Sequence, residues 1–146
     1  MSAELHVELP AEPGAAARSR RATGRWLASL CGLEAPCDAA ADLVLAVNEA
    51  VSNCIEHAYR DGAPGTVTLR AHTTHSGGPG CAGFRVTVQI SDHGGWRAPP
   101  TDPGHRGRGL AMMRACAEDV VVDRGPSGTT VTLHRTLGRC PADRAS

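Results

Sequence analysis

The segment DAAADLVLAVNEAVSNCIEHAY, residues 38–59, constrains this chain more than any other stretch. Leu43, Val47, Val51 and Ile55 recur every four residues, with Val44 and Ala58 widening the stripe. That is the spacing of one helix face, not the alternation of a strand. Asp38 stands where an N-cap belongs, and DGAPG stops the run. A helix with one apolar face needs a surface to cover, and the flanking segments supply it. TVTLRAH (66–72) and FRVTVQIS (84–91) alternate apolar and polar residues around a Gly-rich turn and predict a hairpin. DVVVD and TTVTLHRTL flank a second turn, RGPSG, and HVELP predicts a short strand near the start. Ala15–Leu30 reads as a further helix, ended by Gly32 and Pro36, and LAMMRACA as a short one. DHGGWRAPPTDPGHRGRG is too rich in Gly and Pro for regular structure; loops of that length inside a domain are usually functional or mobile. The order predicts an α/β two-layer sandwich, a mixed and mostly antiparallel sheet with helices packed on one face. With 146 residues there is material for one core. Residues 1–137 form that domain in this reading, and 138–146 a disordered tail.

Composition removes several functions. All 15 basic residues are Arg, which excludes a P-loop, a Schiff-base enzyme and the lysine-dependent site of eukaryotic-type kinases. The 15 acidic residues balance them, so no field draws the chain to nucleic acid or to anionic lipid. The six cysteines contain no Cys-x-x-Cys pair and read as reduced and mostly structural; the seven histidines lack metal-ligand spacing. No apolar run approaches the roughly 20 residues of a membrane span, and MSAELHVELP carries no signal pattern, so a cytoplasmic protein is expected.

The chemistry-bearing residues fall in four places. On the long helix Glu49, Asn53 and His57 form a stripe opposite the apolar row, with Asp42 and Glu56 near it and no Arg through two turns. An amide oxygen there can ligate a hard cation such as Mg²⁺, and a carboxylate one turn away can accept a proton from a nucleophile. Asp92 follows an apolar strand and precedes Gly94 and Gly95, so a carboxylate that can accept from an exocyclic amine sits beside backbone that a ring can approach. Gly107-Arg108-Gly109 precedes the helix LAMMRACA, where free backbone N–H groups suit phosphate oxygens. Gly128-Thr129-Thr130 opens the last strand.

An acid-amide helix, Asp-x-Gly after a strand, Gly-x-Gly before a helix and Gly-Thr-Thr before a final strand, in this order, resemble the Bergerat-type ATP-binding fold. That superfamily includes DNA gyrase, the ninety-kilodalton heat-shock chaperone, sensor histidine kinases and the mismatch-repair ATPases. Within it the stretches NEAVSNCIEHAYRDG, SDHGGWRAPP and GHRGRGLAMMRACAEDVVVDRGPSGTTVTLHR are most similar to anti-sigma-factor serine kinases, over about Leu9 to Leu137. The resemblance implies roles. Glu49 would be the general base and Asn53 the Mg²⁺ ligand. Asp92 would bind the adenine amine with Thr130 helping through water, and Gly94 would make room for the ring. Gly107 and Gly109 would shape a lid over ATP, Leu110 would anchor it, and Arg106 or Arg108 would meet the γ-phosphate. It also implies a serine/threonine kinase that phosphorylates an anti-anti-sigma protein, sequesters a sigma factor and forms a homodimer. Two positions depart from the pattern: Trp96 replaces a second glycine, and His105 stands where a related kinase type has an arginine. The alternative is a nucleotide-binding switch that transfers no phosphate. The Arg-rich face of the first helix (Arg18, Arg20, Arg21, Arg25) reads as solvated, and Trp26, Met112 and Met113 as packing residues.

Overall fold

A computed structural model describes residues 4–30, 38–58, 65–75, 84–93, 111–125 and 127–137. Its elements are β1 (Glu4–Pro10), α1 (Ala15–Leu30), α2 (Asp38–Ala58), β2 (Thr66–His75), β3 (Phe84–Asp92), β4 (Asp119–Gly125) and β5 (Gly128–Thr136). Residues 111–116 add a short helix before β4. The strands form one sheet in the order β1-β2-β3-β5-β4, antiparallel at every pairing. The expected sandwich is thus present. β2 runs three residues past its predicted end because Thr73 and Thr74 keep pairing with β3.

Alternation divides the sheet into two faces. Val67, Leu69 and Ala71 of β2, Val86, Val88 and Ile90 of β3, and Val131 and Leu133 of β5 are buried under the helices. Arg70, His72, Arg85 and Gln89 lie exposed on the other face. α2 covers β2, β3 and β5, while α1 lies against β1 and α2. The face that α1 buries is made of small groups at every fourth position, Ala15, Ser19 and Thr23, before Leu27. The Ser19 hydroxyl donates to the Ala16 carbonyl at 2.7 Å. Arg18, Arg20, Arg21 and Arg25 are exposed, as expected. Arg18 meets Glu12 at 3.0 Å, and Arg20 donates to the Asn48 side chain at 2.8 Å. Trp26 packs against the core, as does Met113, but Met112 is exposed.

The face of α2 differs from the expected one in a way that matters for the site. Leu43, Val47 and Val51 are fully buried, but Ile55 and Val44 are only half-buried. Ala40, Ala46, Ala50 and Cys54 complete the buried face instead. Small residues let the helix approach the sheet closely, and they carry little weight in a hydrophobicity pattern. The buried face is therefore turned toward Glu49 and Asn53. These two sit half-buried on its flank, not on the opposite, solvated side.

Candidate functional site

Asp92 is the point where separate parts of the chain meet. As the last residue of β3 it falls on the inner face, after Val88 and Ile90, and is 5% exposed. A carboxylate buried there needs donors. The backbone N–H of Thr129 donates to its Oδ1 at 3.2 Å, and the Cys54 thiol, from α2, donates to it as well. Burial pushes the Cys54 thiol far up, and the neighbouring Asp92 charge and this hydrogen bond act in the same direction. Cys54 is therefore a protonated donor at neutral pH.

The turn into β5 lies directly against the backbone at the end of β3. Gly128 has φ +142°, a conformation that L side chains rarely adopt, and a Cβ there would overlap the Asp92 carbonyl oxygen and stand 3.1 Å from the His93 Cα. Glycine alone lets the two chain segments touch. Three of the four sequence motifs thus converge: the acid-amide helix through Cys54, the Asp-x-Gly strand end through Asp92, and Gly-Thr-Thr through Gly128 and Thr129.

Thr130 is placed differently from expectation. It pairs with Ser91, and the two hydroxyls lie 3.1 Å apart on the sheet face away from Asp92. Thr129 is the threonine on the Asp92 side. The signal was in the sequence: counting back by twos from the inward Leu133 and Val131 reaches Thr129.

Glu49 lies farther along α2, toward the other end of β5. The Cys116 thiol, at the end of the short helix, is pushed up by burial first and then by the Asp42 carboxylate; the Arg135 guanidinium opposes this, and Glu49 adds to it. Arg135 touches two of these residues directly: its Nη2 lies 3.5 Å from the Asp42 carboxylate and its Nη1 donates to the Cys116 carbonyl at 3.4 Å. Asp42 to Cys54 spans about 18 Å of helix. Thr129 to Arg135 spans about 20 Å of strand. α2 thus runs antiparallel to β5, with Asp42 near Arg135 at one end and Cys54 near Asp92 at the other. Glu49 and Asn53 stand between these ends on one flank, Asn53 beside the Cys54 that reaches Asp92.

The donor set suits a purine nucleotide with Mg²⁺. Asp92 offers a buried acceptor for an amine, and Asn53 a half-buried amide oxygen. Among the described residues no group of three or more His, Cys, Asp or Glu comes together as a metal cage. An ion here would be held by Asn53 and phosphate oxygens, the usual situation of Mg²⁺. Gly94, Arg106, Gly107, Arg108, Gly109 and Leu110 lie outside the described residues.

A family model described as "Histidine kinase-like ATPase domain" matches residues 9–135. The chain belongs to this family. Among solved structures it is similar to the RsbU and RsbW domains of Rv1364c from Mycobacterium tuberculosis, with 29% identity and a TM-score of 0.66 over 93% of this chain and 33% of that one. It therefore spans about a third of that protein. This likeness fits the anti-sigma-factor kinase resemblance. The histidine kinase domain of a blue-light-activated histidine kinase from Erythrobacter litoralis, at 23% identity and TM-score 0.53 over 81% of this chain and 60% of that one, shares the fold. The domain is of a kinase-type ATPase, and ATP binding follows from the family. No helix among the described residues is long and apolar enough to cross a membrane.

Proposed function

We propose that this chain is an ATP-dependent serine/threonine protein kinase that acts as an anti-sigma factor. It phosphorylates an anti-anti-sigma protein, sequesters a sigma factor and works as a homodimer. The observation that carries the nucleotide part is the convergence of α2, the end of β3 and the start of β5 on the Asp92 carboxylate. The regulatory part is supported by the likeness to the RsbU and RsbW domains of Rv1364c.

ATP supplies the transferable phosphoryl group when bound. Asp92 accepts the adenine amine, and the Thr129 N–H and Cys54 thiol hold that carboxylate in place. Thr129, not Thr130, completes this contact. Asn53 ligates Mg²⁺, and Glu49 takes the proton from the substrate hydroxyl; positioning and charge neutralisation do most of the work in such transfers. In this reading Gly94, Arg106, Gly107, Arg108, Gly109 and Leu110 keep the nucleotide-binding roles that the resemblance implies.

His105, in place of an arginine, favours a second reading: a nucleotide-dependent switch without phosphotransfer. Labelled ATP separates the two. With a single-domain antagonist protein and Mg²⁺, the kinase transfers label to a serine or threonine of that protein. Saturable ATP binding with no transfer to any antagonist that binds this chain would leave only the switch.

A further inference from the structure

Three consecutive residues at the end of β5 hold the root of the short helix 111–116. The His134 carbonyl accepts the Glu118 N–H at 2.9 Å. The Thr136 N–H and hydroxyl donate to the Glu118 carboxylate at 2.8 and 3.2 Å. Between them Arg135 makes a different kind of link. Its Nη1 donates to the Cys116 carbonyl at 3.4 Å, and its Nη2 lies 3.5 Å from the Asp42 carboxylate on α2. Arg135 is also in an unexpected place, on the inward alternation of β5 after Val131 and Leu133, where an aliphatic side chain would pack. Its Nε is buried with no hydrogen-bond partner among the described residues.

Stability does not explain an arginine here. The Asp42 side chain is 49% exposed, and an ion pair of that kind contributes little to folding. Geometry explains it better. Asp42 and Glu49 are seven residues apart on α2, so they share one flank, which continues to Asn53. A planar guanidinium can bond a helix-end carbonyl and a carboxylate together, and the carbonyl end of a helix favours a cation. Met113 and Ala117, buried on either side of Cys116, seat the helix on the core.

We infer that Arg135 is a positioning residue, whose fork fixes helix 111–116 against the Glu49 flank of α2 and so sets one wall of the nucleotide site. The inference rests on the nucleotide reading above. Its test is ATP affinity by calorimetry in Mg²⁺, with the melting temperature and amide hydrogen exchange of residues 113–118 followed on the same samples.

Arg135→Met keeps the packed stem and should bind ATP about tenfold more weakly, the loss expected for charge-assisted hydrogen bonds. Arg135→Lys, without the fork, should recover only part of it. Asp42→Asn should also weaken binding and speed exchange in 113–118, and the Asp42→Asn/Arg135→Met double variant should be no worse than Arg135→Met alone. Glu118→Ala loosens the same root through Thr136 but leaves the link to α2, so it should lower the melting temperature and keep ATP affinity within about twofold, since it removes no group that reaches the Glu49 flank. Wild-type affinity in Arg135→Met, additive losses in the double variant, or equal weakening by Glu118→Ala would each overturn the positioning role while wild-type binding stands. A wild-type chain that binds no ATP overturns the nucleotide reading and this inference with it.

Discussion

Gly128→Ala should lower the free energy of unfolding by about 3 kcal/mol or more, the sum of a strained backbone and a forced displacement. The residue has φ +142°, and the new Cβ would fall on the Asp92 carbonyl oxygen, which is backbone and cannot swing aside. Either β5 shifts away from β3 at its first residue, or the end of β3 moves. Both separate Thr129 from Asp92. Typical domains have only 5–15 kcal/mol in hand, so a drop of this size is plain in a urea titration. Gly125, its partner across the β4–β5 turn, is the control. A Cβ there meets nothing closer than the Gly128 carbonyl at 3.9 Å, so Gly125→Ala should stay within about 1 kcal/mol. Equal effects at the two positions would mean that the contact between the Gly-Thr-Thr turn and Asp92 is not what Gly128 serves.

Glu49→Gln should reduce phosphoryl transfer to the antagonist protein by 10²–10⁴-fold, the usual contribution of a positioned general base. The substitution is isosteric and removes only the proton acceptor. Glutamine keeps the size and shape of the half-buried Glu49 side chain, so the flank of α2 stays in place and ATP affinity should change by no more than about threefold. Single-turnover transfer from labelled ATP reads the first quantity and calorimetry the second. A normal transfer rate in Glu49→Gln would remove the general-base role and leave nucleotide binding intact.

The three helices and five strands among the described residues were legible in the sequence, because periodicity and turn chemistry are local properties. The antiparallel hairpins followed from short connections. The insertion of β5 between β3 and β4 did not, since it depends on pairing across more than thirty residues, such as Ser91 with Thr130. The buried face of α2 extends farther to one side than the hydrophobic pattern indicates, because Ala46, Ala50 and Cys54 signal burial weakly, and this puts Glu49 and Asn53 on its flank instead of on the opposite side. Thr129, not Thr130, faces Asp92, because one residue along a strand changes the face. The link from Arg135 to Asp42 and Cys116 was invisible: β5 gave an alternating pattern, and nothing local marks an inward arginine as the partner of a helix ninety residues earlier.

The central claim is that the buried Asp92 carboxylate, framed by α2, β3 and β5, receives an adenine ring. Calorimetric titration of ATP in Mg²⁺ against the wild-type chain and Asp92→Asn tests it most directly. Asparagine keeps the oxygen that accepts the Thr129 N–H, so the fold should persist and the melting temperature should move by only a few degrees. It also puts an amide donor where the adenine amine needs an acceptor, which should weaken ATP binding by roughly 30- to 100-fold. Saturable binding by the wild type with that loss in the variant is the expected result. Equal binding by both, or none by the wild type, would contradict it.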